Sequence, residues 1–167
     1  MKYFFASLGC ILSLLLLETT IFTNLNFLPV IPDLLLIFTI YIGISRGSIS
    51  GEIQGFASGF SLDFMSGAPL GLNALIRTIL GFLAGLFHLN VNTNGFLIPA
   101  FFGIIGTIVK AIFLEITSFF FPSIINSYAL FSSDLFYECI LNALFSPILF
   151  HFFSLFSVFA GKINMEK

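Results

Sequence analysis

The sequence predicts an all-α fold, a polytopic bundle of six transmembrane helices, and three observations predict it. Of the 167 residues, 58% are hydrophobic and only 8% charged, with a mean hydropathy of +1.10; soluble domains carry about a quarter charged residues. The apolar residues come in long runs, unlike the short alternating segments of an outer-membrane barrel. Six spans of about 20 residues would use about 120 residues and leave the remainder for short loops. The chain 1–167 is therefore expected to form a single integral membrane domain. Six Lys and Arg against eight Asp and Glu exclude a nucleic-acid binder, which needs a basic face for phosphates. The same scarcity of charge excludes a soluble enzyme.

Span one covers about residues 3–23 and is interrupted only by Glu18. Met1-Lys2 before an apolar run resembles a signal peptide, but no small-residue cleavage site follows, so the segment reads as a retained first helix. Cys10 follows Gly9 as in a lipoprotein cleavage site, yet Ser7 stands where Leu would be required. A turn over residues 24–32 holds Pro29 and Pro32. Span two begins at Asp33 and ends before Arg46. Its roughly twelve residues rise only about 18 Å, short against about 30 Å of hydrocarbon. Either residues 27–31 dip into the membrane or the membrane thins there.

Span three covers 50–65 and closes on a tight turn, Ser66-Gly67-Ala68-Pro69. Span four covers 70–89, and a polar, uncharged loop fills 90–95. Span five covers 96–121, closed by Pro122, and span six covers 134–159. Orientation follows from Lys and Arg in the short loops. With six spans, Lys2, Arg46, Lys162 and Lys167 share one side, and the opposite loops carry no cation. Both termini are expected to be cytoplasmic. Twenty-five Phe and no Trp leave four Tyr for the amphipathic positions at the membrane surface.

Glycines recur every four residues at Gly47, Gly51, Gly55 and Gly59; Asp63 takes the next step and Gly67 the one after. A four-residue step turns about 400°, so the row drifts about 40° per step and still forms a connected groove. Gly81 and Gly85 repeat the spacing on span four. Such rows let a neighbouring backbone approach closely within a membrane. The neighbour is either an internal span (one, two or four) or the helix of a partner.

Charges within spans are costly unless paired or wet. Glu18, Asp63, Arg77, Lys110, Glu115 and Glu138 all fall in the outer half when depth is counted along alternating spans. Four carboxylates thus face two cations in one layer. Asp63 with Arg77 is the favoured pair, because spans three and four form a hairpin across a short turn. Glu115 lies about 140° around the helix from Lys110, so Glu138 or Glu18 is the better partner for that cation. The layer is either a set of structural ion pairs or a wet, outward-opening cavity for a partner segment or small ligand. Its excess carboxylates must be near water, protonated or matched by another cation. Cys10, Cys139, His88 and His151 show no metal-ligand spacing. No arrangement of Ser, His and Asp suggests catalysis, so no enzyme activity, metal or cofactor is expected.

The order of landmarks carries a resemblance. Pro32-Asp33-Leu34-Leu35-Leu36 opens span two and Arg46-Gly47 ends it. Gly55-Phe56, Gly59, Asp63, Gly67, Pro69-Leu70-Gly71, Ala74-Leu75 and Gly81-Phe82-Leu83-Ala84-Gly85 follow, with Asn142 and Pro147 in span six. This pattern closely resembles the bacterial rod-shape-determining MreD family across nearly the whole chain, and residues 55–75 carry most of its specificity. Pro147 would kink the last helix. Glu18 departs from the pattern, standing where the family often has an uncharged residue such as Gln, and the C-terminal tail is less basic than the family's.

The resemblance implies a non-enzymatic component of the inner (cytoplasmic) membrane that belongs to the cell-elongation complex. Its partners would be the bitopic MreC directly and, indirectly, the actin-like MreB and the wall-building RodA with its penicillin-binding transpeptidase. It also implies a fold similar to the substrate-binding component of energy-coupling-factor vitamin transporters. The glycine stripe and the Asp63 layer are then expected to form or support the groove for the MreC helix. Two other readings remain open: a vitamin-binding transport component, and an intramembrane enzyme on lipid-linked precursors with Asp63 or Glu138 as its acid or base. The transporters' Ala-xxx-Ala docking motif is absent from span one, where Ala6-xxx-Cys10 is a loose echo.

Overall fold

The computed structural model describes residues 2–21, 29–66, 69–93, 95–121 and 132–159. Among the described residues there is no strand, and the six expected helices are present: α1 Lys2–Leu16, α2 Leu34–Arg46, α3 Ser48–Ser66, α4 Leu72–Gly85, α5 Leu97–Phe120 and α6 Ser133–Ser154. The tail cations Lys162 and Lys167 and the turn residue Gly67 lie outside the described residues.

Helix α2 is the core. Its residues are apolar around the whole circumference, and residues 34–45 are all buried, which is the pattern of a helix enclosed by others. Phe38 meets Phe153 with ring centroids 5.0 Å apart, and Tyr41 meets Phe150 at 5.2 Å. Outside this core the surface is apolar too: Phe5 is 66% exposed, Leu97 79% and Phe119 82%. An exterior covered in Phe, Leu and Ile is suited to lipid and not to water. Among the described residues, three helical stretches are long and apolar enough to cross a membrane: Tyr3–Thr20, Leu97–Phe120 and Ser133–Ser154. The apolar helices α2 and α4 are shorter, at 13 and 14 residues. The composition and these apolar helices suit a membrane protein.

Several helix ends differ from expectation for identifiable reasons. Helix α1 passes into a π-helical turn, Leu17–Ile21, around Glu18; such bulges open the regular ladder and often mark functional positions. Helix α4 stops at Gly85 instead of near residue 89, because the chain tightens into short turns, with Phe87 N–H donating to the Ala84 carbonyl and His88 N–H to that of Gly85. Helix α6 continues unbroken through Pro147 but ends at Ser154 and not near residue 159. The turns that follow swing Phe159 onto Phe38, 5.7 Å between centroids. They also bring the Val158 carbonyl to Arg46 Nη2 at 2.5 Å, while the Arg46 guanidinium lies 4.1 Å from the Tyr3 ring centroid. The starts of α1 and α3 and the ends of α2 and α6 thus meet at one end of the bundle.

The glycine stripe is filled from within. Helices α3 and α4 pack backbone to backbone: a Cβ on Gly51 would strike the Gly81 carbonyl, one on Gly55 the Arg77 carbonyl, and one on Gly59 the Asn73 carbonyl. The fit is reciprocal, since Gly81 meets the Gly51 carbonyl and Gly85 the backbone of Ser48. Of the two uses weighed for the stripe, internal packing against span four is the one observed. The expectation that it receives a partner helix directly is corrected on that ground, because α4 leaves no open groove over Gly51, Gly55 and Gly59.

Candidate functional site: a buried charge cluster at the head of the central helix

A helix start leaves its first backbone N–H groups without intrahelical acceptors, and away from water each must find another partner. The head of α2 meets this requirement fully. Leu34 N–H donates to the Pro32 carbonyl and Ile37 N–H to the Asp33 carbonyl, each at 3.2 Å. Leu36 N–H donates to Asp33 Oδ1 at 2.8 Å, the N-cap bond of a carboxylate. Leu35 N–H donates to Glu18 Oε2 at 3.4 Å, so the π-helical turn of the first span serves the second. One step back, Asp33 N–H donates to Asn142 Oδ1 at 2.8 Å. The Asn142 amide in turn donates to Thr107 Oγ1 at 2.8 Å, and that hydroxyl donates to the Gly103 carbonyl. Helices α2, α5 and α6 are joined through these bonds.

Asp33 is also the centre of an ion-pair chain. Arg77 Nη2 lies 2.8 Å from Asp33 Oδ1, and Lys110 Nζ lies 2.9 Å from Asp33 Oδ2. Lys110 pairs in addition with Glu138 Oε1. The order Arg77, Asp33, Lys110, Glu138 alternates in sign and is neutral as a whole. The side chains of Arg77 and Glu138 are each 2% exposed. An enclosed pair is held together chiefly because removal of one member strands the other. The positive end of the α2 dipole adds to the stabilisation of the Asp33 carboxylate.

Asp63 does not join this chain. Its carboxylate accepts from Gly71 N–H at 2.9 Å, Asn73 N–H at 3.1 Å, Asn73 Nδ2 at 2.9 Å and Ala74 N–H at 3.3 Å. The favoured pair of Asp63 with Arg77 is therefore corrected. The donors at the head of α4 outcompete the guanidinium because the turn before α4 wraps them around Asp63. Gly71 makes that turn with φ +96°, a left-handed conformation that side chains resist. Pro69 closes it by accepting from Leu72 N–H at 3.1 Å.

The structure brings Glu18, Arg77, Lys110 and Glu138 of the expected layer together. It adds Asp33, which sequence reasoning placed at the start of a span and left out of the layer. Glu115, half-buried further along α5, does not line the cleft described next. Thr107 and Asp134 were not singled out at all. For Thr107 the sequence carries no signal beyond a hydroxyl inside an apolar span. Asp134 was visible only as the first charged residue of span six.

Above the ion-pair chain lies a cleft of about 490 Å³. Its polar wall is made by Glu18, Asp33, Asn73, Arg77, Lys110, Asp134 and Glu138, and its apolar wall by Pro29, Val30, Ile31, Leu62 and Leu114. A second, larger hollow of about 960 Å³ runs between α5 and α6 and is almost wholly apolar, with Phe96, Ala100, Ile104, Ile108 and Ile112 along α5 and Cys139, Ala143 and Leu144 on α6. Lys110 and Glu138, which link these helices, line the first hollow and not the second.

Neither the curated proteins nor the solved structures compared with this chain gave a match. The family described as rod shape-determining protein MreD matches residues 1–156. That stretch contains the Asp33 cluster, the interlocked α3–α4 hairpin and the Asn142 link, and it covers all but the last eleven residues. The chain belongs to the MreD family.

Proposed function

We propose that this protein is a non-enzymatic, multi-pass component of the bacterial inner membrane that supports rod shape by binding the transmembrane helix of MreC. Through MreC it would act on MreB and on RodA with its transpeptidase, and so on lateral peptidoglycan synthesis. The observation that carries this reading is the family match over residues 1–156. The cations Lys2 and Arg46, with the tail cations, support cytoplasmic termini.

The geometry suggests where MreC docks. The stripe on α3 is occupied by α4, whereas the hollow between α5 and α6 is open. From Phe96 to Ile112 its α5 wall rises about 24 Å at 1.5 Å per residue, most of a hydrocarbon core of about 30 Å. Ala100, Cys139 and Ala143 in its lining are small enough for a helix to approach closely. The Lys110–Glu138 ion pair ties α5 to α6.

Depletion tests the role. Loss of the protein from its native cell is expected to turn rods into rounded cells, and tagged protein is expected to recover MreC in pull-downs. Unchanged shape together with a vitamin-uptake defect would contradict this and favour a transport component.

A further inference from the structure

Hydrocarbon supplies no hydrophobic force between helices, so membrane helix pairs rely on close packing and polar contacts. A buried polar contact is the best-attested means of fixing a register. Helices α5 and α6 carry three contacts in series. Lys110 pairs with Glu138, and Asn142 Nδ2 donates to Thr107 Oγ1 at 2.8 Å. Gly103 lies so close to α6 that a Cβ there would strike Ser146 Oγ and the Asn142 carbonyl. Numbers rise along α5 as they fall along α6, as a single antiparallel register requires. Thr107, Glu138, Asn142 and Ser146 are buried, and none of the six residues lines the α5–α6 hollow.

The hollow is built from neighbouring positions on the same two helices. Ile104 and Ile108 on α5 and Cys139 and Ala143 on α6 line it. Each follows a ladder residue by one, about 100° around its helix. A slip of α6 by four residues, about 6 Å, would break all three contacts. It would also put Leu135 where Cys139 now stands, a larger side chain in the place of a small one. We propose that the ladder is a register lock for the partner face. Gly103, Thr107, Lys110, Glu138, Asn142 and Ser146 are positioning residues that hold the isoleucines of α5 and the small residues of α6 in the arrangement that leaves room for a helix. This inference rests on the reading of the hollow as the docking site for MreC, and adds that residues outside the hollow decide whether it docks.

Two readouts test it. Pulsed electron resonance on the whole protein in nanodiscs reads the register, from spin labels at Phe101 and Ile148, exposed positions of α5 and α6 outside the hollow, with both cysteines replaced by alanine. Photo-crosslinking from Ile108 in the native membrane reads MreC capture. Lys110→Met with Glu138→Leu removes one contact as a pair, and Asp33 keeps Arg77, so no charge of the chain is stranded. The single label distance of the wild type is expected to broaden or split, and capture to fall about fivefold or more, the scale of one interhelical polar contact. Gly103→Ala keeps every polar partner and wedges the helices apart; it is expected to lower capture severalfold, and it decides the matter if the double variant does not insert. Thr107→Ser keeps the hydroxyl and is expected to retain the wild-type distance and capture. An unchanged distance in both ladder variants, or a broadened distance with wild-type capture, overturns the proposal. No capture from Ile108 in the wild type, with the distance still single, would instead overturn the docking reading on which it rests.

Discussion

Asp33→Ala is expected to destabilise the bundle by about 3–5 kcal/mol, the usual cost of stranding a buried charge. The substitution removes the shared acceptor of Arg77 and Lys110 and the cap of α2 at once. Asp33→Asn keeps an oxygen that can cap Leu36 and accept from one cation, so it should fall between alanine and wild type. Arg77→Met added to Asp33→Ala removes one of the stranded cations and should recover part of the loss. Thermal unfolding in detergent, with membrane abundance as a second readout, measures all three. A wild-type midpoint for Asp33→Ala would mean that Asp33 does not hold the cluster together.

The second large effect is expected from a single methyl group. Gly55→Ala places a Cβ against the Arg77 carbonyl, and overpacking of this kind costs about 1–3 kcal/mol. The cost should reach the charge cluster, because pushing the α4 backbone away at Arg77 also displaces its guanidinium from Asp33. Gly9→Ala is the matching control. A Cβ there meets nothing within 4 Å, so better helix propensity should stabilise by about 0.5–1 kcal/mol. The same chemical change is thus expected to have opposite signs on α3 and α1, which unfolding midpoints of the two variants would show. Equal and small effects would mean that α3 and α4 are not interlocked.

The helices themselves were readable because hydrocarbon imposes long apolar runs and Pro and Gly punctuate them. The pairing of charges was readable only in part. Lys110 finds Glu138, one of the two partners expected for it, because cross-helix reach outweighs sequence proximity to Glu115. Asp63 was assigned to Arg77 on hairpin proximity, but nearness in a hairpin does not reveal which groups already have partners. The N–H groups at the head of α4 needed an acceptor, and the left-handed turn at Gly71 delivers them to Asp63. Asp33 shows the opposite case. Pro32-Asp33 before an apolar run read correctly as a helix start, and the shortness of α2 was plain. Only the fold joins these facts: a 13-residue helix that starts deep in the bundle carries its capping carboxylate to the cations of α4 and α5.

Glycine spacing likewise showed that two backbones meet but not whose they are. Gly51, Gly55 and Gly59 face Gly81, Arg77 and Asn73 of the same chain. With that face spent on folding, the partner face proposed above is the one on α5 and α6. A helix seated in their apolar hollow would press on α5 and α6, the two helices that carry Lys110 and Glu138 of the charge cluster.

Photo-crosslinking from single positions in the native membrane tests this most directly. A photoreactive residue at Ile104, Ile108 or Leu144, in the α5–α6 hollow, is expected to capture MreC. One at Ile53 or Phe60, on the exposed side of α3, is expected to give no such product. Capture of MreC from Ile53 and Phe60, with none from the hollow, would contradict the assignment of the partner face to α5 and α6.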